Sequence, residues 1–139
     1  MIVVDTQVIA YWALPAPGSL SVAGVIEKDG SWVAPALWQS EFRNVLAGYL
    51  RRAALSADAA VSKMRLALEF IATETVEAER VLRLVADSPC SAYDLEFVAL
   101  AQQLGVALVT NDRQILHSFP TVAISPAEFA RPDPSASGA

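Results

Sequence analysis

Four carboxylates stand where this chain changes from one local pattern to the next. Asp5 closes the apolar opening MIVVD, and Glu41 lies inside WQSEFRNVLAGYL. Asp94 follows Ser91 at the head of YDLEFVALA, and Asp112 follows the apolar run ALVTN. In a parallel α/β unit, strand C-termini and the N-termini of the helices beside them share one edge of the sheet, where ligands collect. Four carboxylates at that edge, with no histidine or cysteine, make an oxygen-only site of the kind that Mg²⁺ or Mn²⁺ prefers over Zn²⁺. Such an ion polarises a phosphate, lowers the pKa of a bound water and aligns the attacking and leaving oxygens, which is the chemistry of phosphodiester hydrolysis. The hydroxyls of Thr6 and Thr110 are placed to orient a carboxylate or a water.

Each acid also has a plain structural role. Asp5 and Asp112 suit helix caps or turns, and Ser91-x-x-Asp94 matches a capping box. Against that role, Asp94, Phe97, Val98 and Ala101 share one helical face, so the carboxylate heads an apolar stripe. Glu41 falls within the face formed by Trp38, Phe42, Val45 and Tyr49, while Arg43, Arg51 and Arg52 mark the other side. An inward glutamate is costly unless it is paired, bound to a cation, or close enough to an edge to reach solvent. Glu69, Glu74, Glu77, Glu79 and Asp87 read as solvated helix faces or caps. The joint pattern of the four, more than any one of them, points to a site.

The elements that must position them follow in order. Ile2 to Val4 reads as a strand, with a helix through Val8 to Ala13 that Pro15 to Gly18 breaks. Ser19 to Lys28 forms a second helix, stopped at Asp29-Gly30. Trp32 to Ala34 is a strand, and Pro35 or Ala36 opens a helix running to about Ala54. Ser56 caps the next helix, SADAAVSKMRLALEFIA. Glu74 to Val76 is expected as a brief edge strand before the helix EAERVLRLVAD. After Ser88-Pro89 come the Asp94 helix with its glycine stop, the strand Val106 to Thr110 and the Asp112 turn into another helix. Val122 to Ile124 is a last strand, and Pro126 to Phe129 a last turn. Alternating strands and helices predict an α/β three-layer sandwich with a mostly parallel sheet of four or five strands. Residues 1–130 are expected to form the domain, and the polar tail 131–139, RPDPSASGA, to be disordered.

Composition narrows the classes further. At 139 residues the chain is long enough to bury a proper core. It is 54% hydrophobic, with a mean hydropathy of +0.38, which fits a sheet covered on both faces and an apolar surface buried against a partner. Thr6 to Ile26 carries no charge, but Pro15, Pro17 and Gly18 interrupt it and no basic flank precedes it. Neither a signal peptide nor a membrane span is expected, and the expected location is cytoplasmic. Cys90 is the only cysteine and His117 the only histidine, which excludes disulfide scaffolds, cysteine-rich metal sites and a two-histidine ribonuclease site within one chain. A net charge of −5 argues against a broad basic nucleic-acid surface, although acidic metal ligands themselves add negative charge.

Taken together, MIVVDT, the inward glutamate near position 40, YDLEFVALA and LVTNDRQIL resemble a PIN domain, and more narrowly the VapC-type toxins of bacterial toxin–antitoxin pairs. The resemblance runs through FPTVAISPAEF and omits only the tail. It implies that Asp5, Glu41, Asp94 and Asp112 match the family's acidic quartet, which binds Mg²⁺ or Mn²⁺, with Glu41 completing the cluster or working through water. Thr110 matches a common hydroxyl partner. Gln7 stands where the family often has the shorter Asn. The resemblance further implies an RNA-cleaving toxin, a homodimer, and an antitoxin whose C-terminal segment reaches the acidic site. Arg43 and Arg113 are candidates for contacting RNA phosphate. Two other classes stay open: a degenerate PIN-like binding module acting through its protein partner, and a phosphatase or phosphotransferase using Asp5 as nucleophile. The last is disfavoured because position 7 is Gln, not a second aspartate, and no lysine follows Lys63.

Overall fold

The computed structural model describes residues 1–14, 16 and 19–134, apart from the side chains of residues 19–21. Pro15, Pro17 and Gly18 of the expected helix break, and residues 135–139 of the expected tail, lie outside the described residues.

Five strands make the sheet: β1 (Ile2–Val4), β2 (Trp32–Pro35), β3 (Ala72–Glu74), β4 (Leu108–Val109) and β5 (Ala123–Ile124). Eight helices are present among the described residues. Two, α1 (Thr6–Ala13) and α2 (Ser19–Lys28), join β1 to β2, and α3 (Leu37–Arg51) and α4 (Ala57–Phe70) join β2 to β3. Next, α5 (Ala78–Ala86) and α6 (Ala92–Leu104) lead to β4, α7 (Arg113–Ser118) leads to β5, and α8 (Pro126–Phe129) follows it. The strand order is β3-β2-β1-β4-β5, and every neighbouring pair is parallel. Val3 sits between Val33 and Leu108 in register, which makes β1 the centre of the sheet.

That order contains a reversal. From β1 the chain steps outward to β2 and β3, then crosses back to β4 and steps outward the other way to β5. Right-handed crossovers therefore put the helices of the first half on one face and those of the second half on the other. The packing agrees for the helices up to α6, since α1 meets α2, α3 and α4 while α5 packs on α6; α8, after the last strand, returns to pack on α2 of the first half. The crevice where β1 and β4 diverge is the topological switch point, the usual ligand position in an open parallel sheet.

Burial explains the apolar composition. Val3, Val4, Leu108 and Val109 are fully inaccessible, and α6 buries Leu95, Phe97, Val98, Ala99, Leu100 and Ala101, leaving little wet face. Gly105 ends α6 in the left-handed conformation at φ 68°, which its lack of Cβ permits. Ser56, Ser91 and Ser125 cap α4, α6 and α8 through their hydroxyls. Several boundaries differ from the sequence reading: β2 runs on to Pro35, β5 starts at Ala123 and α3 stops at Arg51, and two strands depart further. The third strand is Ala72–Glu74, not Glu74–Val76, because Thr75 carbonyl and Glu77 amide are both held by the Gln103 side chain from α6. The fourth is Leu108–Val109, shorter than Val106–Thr110, because its neighbour β5 offers only two residues to pair. No helix among the described residues is long and apolar enough to cross a membrane.

Candidate active site

Asp5, Glu41, Asp94 and Asp112, separated by as much as 107 positions in the chain, line a single cavity of about 700 Å³ at the switch point. The placement follows from the elements. Asp5 and Asp112 come just after the two central strands that diverge there. Glu41 lies in the second turn of α3, which starts beyond the end of β2. Asp94 lies in the first turn of α6, which runs back toward the start of β4.

Local capping and the site turn out to share the same side chains. Asp5 is the N-cap of α1, its Oδ1 accepting from the Val8 amide at 3.0 Å. Its Oδ2 accepts a hydrogen bond from the Thr110 hydroxyl, and the same hydroxyl oxygen accepts the Asp112 amide N–H at 3.0 Å. Thr110 is fully buried and so locks the ends of β1 and β4 together. Asp112 caps α7 through Oδ1, which accepts from Ile115 N–H at 2.9 Å. Ser91 Oγ accepts the Asp94 amide at 3.1 Å, as a capping box requires. Thr6 donates to Glu41 Oε1 at 2.7 Å, tying α1 to α3.

Two of these carboxylates, Asp5 and Asp94, are held above the usual carboxylate range. Burial pushes the Asp5 carboxyl up to about 6; the Thr110 and Val8 hydrogen bonds oppose the rise, and the charges of Asp112 and Glu41 add to it. Burial likewise raises Asp94, with Asp112 adding and Ser91 opposing. Glu96, which nothing in the sequence reading singled out, is raised by burial and by Glu41 beside it. A signal for Glu96 does exist: α6 is apolar nearly all round, so an acid within it has no broad wet face to occupy.

An oxygen-only donor set whose members repel one another suits a hard divalent cation. Among the described residues, no three acidic, histidine or cysteine side chains converge tightly enough to form a ready cation cage. The Asp5, Glu41 and Asp112 carboxylates are each held by a hydrogen bond of their own. Of the two expected RNA contacts, Arg43 donates to Ser40, itself part of the cavity wall, at 3.1 Å, and Arg113 follows Asp112 as an exposed residue at the start of α7. Gln7 donates to the Tyr11 hydroxyl at 2.9 Å, and both residues line the cavity.

Solved structures share this architecture. A toxin–antitoxin complex from Klebsiella pneumoniae aligns with a TM-score of 0.68 at 16% identity, over 92% of this chain and 99% of that one. A crystal structure of a Pyrobaculum aerophilum protein gives 0.74 at 21%, covering 93% of this chain and 92% of that one. FitAcB from Neisseria gonorrhoeae gives 0.64 at 18%, covering 91% and 98%. A search of curated proteins found no match. The PIN domain description matches residues 2–120, a span that takes in all four carboxylates, and the chain belongs to the PIN domain family.

Proposed function

We propose that the protein is a metal-dependent endoribonuclease that hydrolyses RNA phosphodiester bonds, the toxin of a VapBC-type toxin–antitoxin pair. The observation that carries this reading is the meeting of Asp5, Glu41, Asp94 and Asp112 in one cavity at the switch point. A bound Mg²⁺ or Mn²⁺ would polarise the phosphate and activate water there. The chain's own part is to hold the oxygens that would bind it. Asp5, Asp94 and Asp112 are the direct candidates, with Asp5 fixed by Thr110 and Val8 N–H. Glu41, steered by Thr6, completes the cluster or receives a proton from water. Arg43 and Arg113 would draw the phosphate chain toward an otherwise acidic pocket.

The reading takes residues 1–130 as the working domain in a cytoplasmic protein. The resemblance in fold to a toxin–antitoxin complex supports a cognate antitoxin as partner. The exposed apolar side chains Val61, Leu66 and Leu68 on α4 and Leu82 on α5 offer surface for that partner or for a homodimer.

The deciding experiment is cleavage of RNA with Mg²⁺ or Mn²⁺, with EDTA, and with Asp94→Asn. Cleavage should vanish in EDTA. The variant should lose about 100-fold or more, since even a group standing behind a ligand is worth 10- to 100-fold. Full activity in EDTA would end the metal mechanism. A folded protein that binds no Mn²⁺ by calorimetry would favour the alternative, a degenerate binding module acting through its partner; the looseness of the carboxylate cluster is the observation on that side.

A further inference from the structure

The acids make up only part of the cavity. Its remaining wall includes Tyr11 and Leu14 from the α1 side and Val45 and Tyr49 from α3, with the amides of Gln7 and Asn44 among them. At 1.5 Å per residue, Tyr11 lies about 9 Å along α1 from Asp5, and Tyr49 about 12 Å along α3 from Glu41. The two helices pack against each other, so the cavity runs from carboxylates to aromatic rings within one continuous space. The ring of Tyr49 carries the Arg52 guanidinium 4.7 Å from its centroid, and the Tyr11 hydroxyl is held by Gln7.

Resting on the nuclease reading, we infer that this wall is a subsite for one unpaired nucleobase of the RNA, next to the bond that is cut. A base offers a flat π face to a tyrosine and polar edges to an amide, and it lies a sugar's reach from its phosphate. An apolar peptide side chain would cover the rings but offer no hydrogen bond to the Asn44 amide in the same wall. In a duplex the base face is covered by its stacking neighbours, so the substrate is single-stranded RNA or a loop. Tyr11 and Tyr49 are then specificity-determining residues.

The test compares cleavage of a single-stranded RNA oligonucleotide with that of the same strand made abasic on either side of the mapped scissile bond. Loss of the base on one side should cost the wild type about 10- to 100-fold in kcat/KM. Tyr49→Leu or Tyr11→Leu should lose a similar factor on the intact strand and nothing more on the abasic one, whereas Tyr49→Phe, which keeps the ring, should retain the base dependence. A wild type indifferent to abasic sites overturns the proposal. So does an undiminished abasic penalty in both leucine variants, which would leave the rings to a protein segment instead. If the leucine variants fail to fold, 5-bromouridine at the sensitive position should photocrosslink to Tyr11 or Tyr49 in the wild type, and crosslinking only elsewhere refutes it. Fluorescence anisotropy on Asp94→Asn separates the two readings. Base-dependent binding without any wild-type cleavage would remove the nuclease and keep the subsite, and absence of both removes both.

Discussion

Asp5 carries two demands that pull against each other. It caps α1 and anchors Thr110, yet burial and two neighbouring acids hold its carboxyl at about 6 instead of 3.8. A raised pKa means that the folded protein favours the neutral form. The resulting stability is therefore fully present below about pH 4 and is lost as pH rises through about 6. Two units at 1.36 kcal/mol each set an upper bound of about 3 kcal/mol, and partial access to water in the cavity reduces it to about 1–2 kcal/mol. Without divalent ions, Asp5→Asn should be more stable than wild type by about that much at pH 7.5, with the gap closing at pH 4.5; thermal melts across this range measure it. Identical pH slopes would show that Asp5 is not strained. Thr110→Val makes the opposite change. It strips a buried hydroxyl from Asp5 Oδ2 and from the Asp112 N–H, and should cost about 2–3 kcal/mol in stability. Weaker Mn²⁺ binding should accompany the loss, since the hydrogen bond that favours charged Asp5 is gone. The strand-end acids were readable at this scale because caps are local: Asp followed by an apolar helical stripe is visible in five or six residues. Glu96 was readable only as an acid on an apolar helix, because its neighbour Glu41 is 55 positions away and only the packing of α6 brings them together.

Helices and strands were mostly legible, and the misplacements have particular causes. Edge strand β3 is exposed and short, so its position is set by pairing with Val33, Ala34 and Pro35 and by the Gln103 clamp, none of which lies in its own residues. By contrast, α6 was readable end to end because Ser91 and Gly105 mark both limits. Close packing at another pair of elements gives a test. A Cβ on Gly24 of α2 would stand 2.8 Å from Ala130 Cβ just after α8, with Lys28 over the Phe129 ring beside it. Gly24→Ala gains roughly 1 kcal/mol in helix propensity, but overpacking costs typically 1–3 kcal/mol. The expected net effect is a loss of about 1 kcal/mol, which Gly24→Ala combined with Ala130→Gly should largely restore in a denaturant melt. Stabilisation by Gly24→Ala alone would mean that α8 yields freely.

For the whole molecule, folding assembles four carboxylates that none of the ion pairs among the described residues engages. A cation that binds only the folded state must then stabilise it, by about 2.7 kcal/mol at a free concentration a hundred times its Kd. Mn²⁺ should raise the melting temperature of the wild type but not of Asp94→Asn, and the rise should shrink below pH 6 as Asp5 takes up a proton. Calorimetry in buffers of different ionisation enthalpy should show proton release on binding near that pH. Taken by itself, the sequence determined the class of fold and which residue types a site could draw on. Residue types limit which metal ligands exist, and apolar periodicity limits which elements form, and both are local properties. Whether acids at positions 5, 41, 94 and 112 meet was decided only by the strand order β3-β2-β1-β4-β5, whose reversal opens a crevice between β1 and β4. The tertiary structure also decided that Tyr11 and Tyr49 share that crevice. Long-range pairing is fixed by which faces can be buried together, and no window of neighbouring residues contains that information.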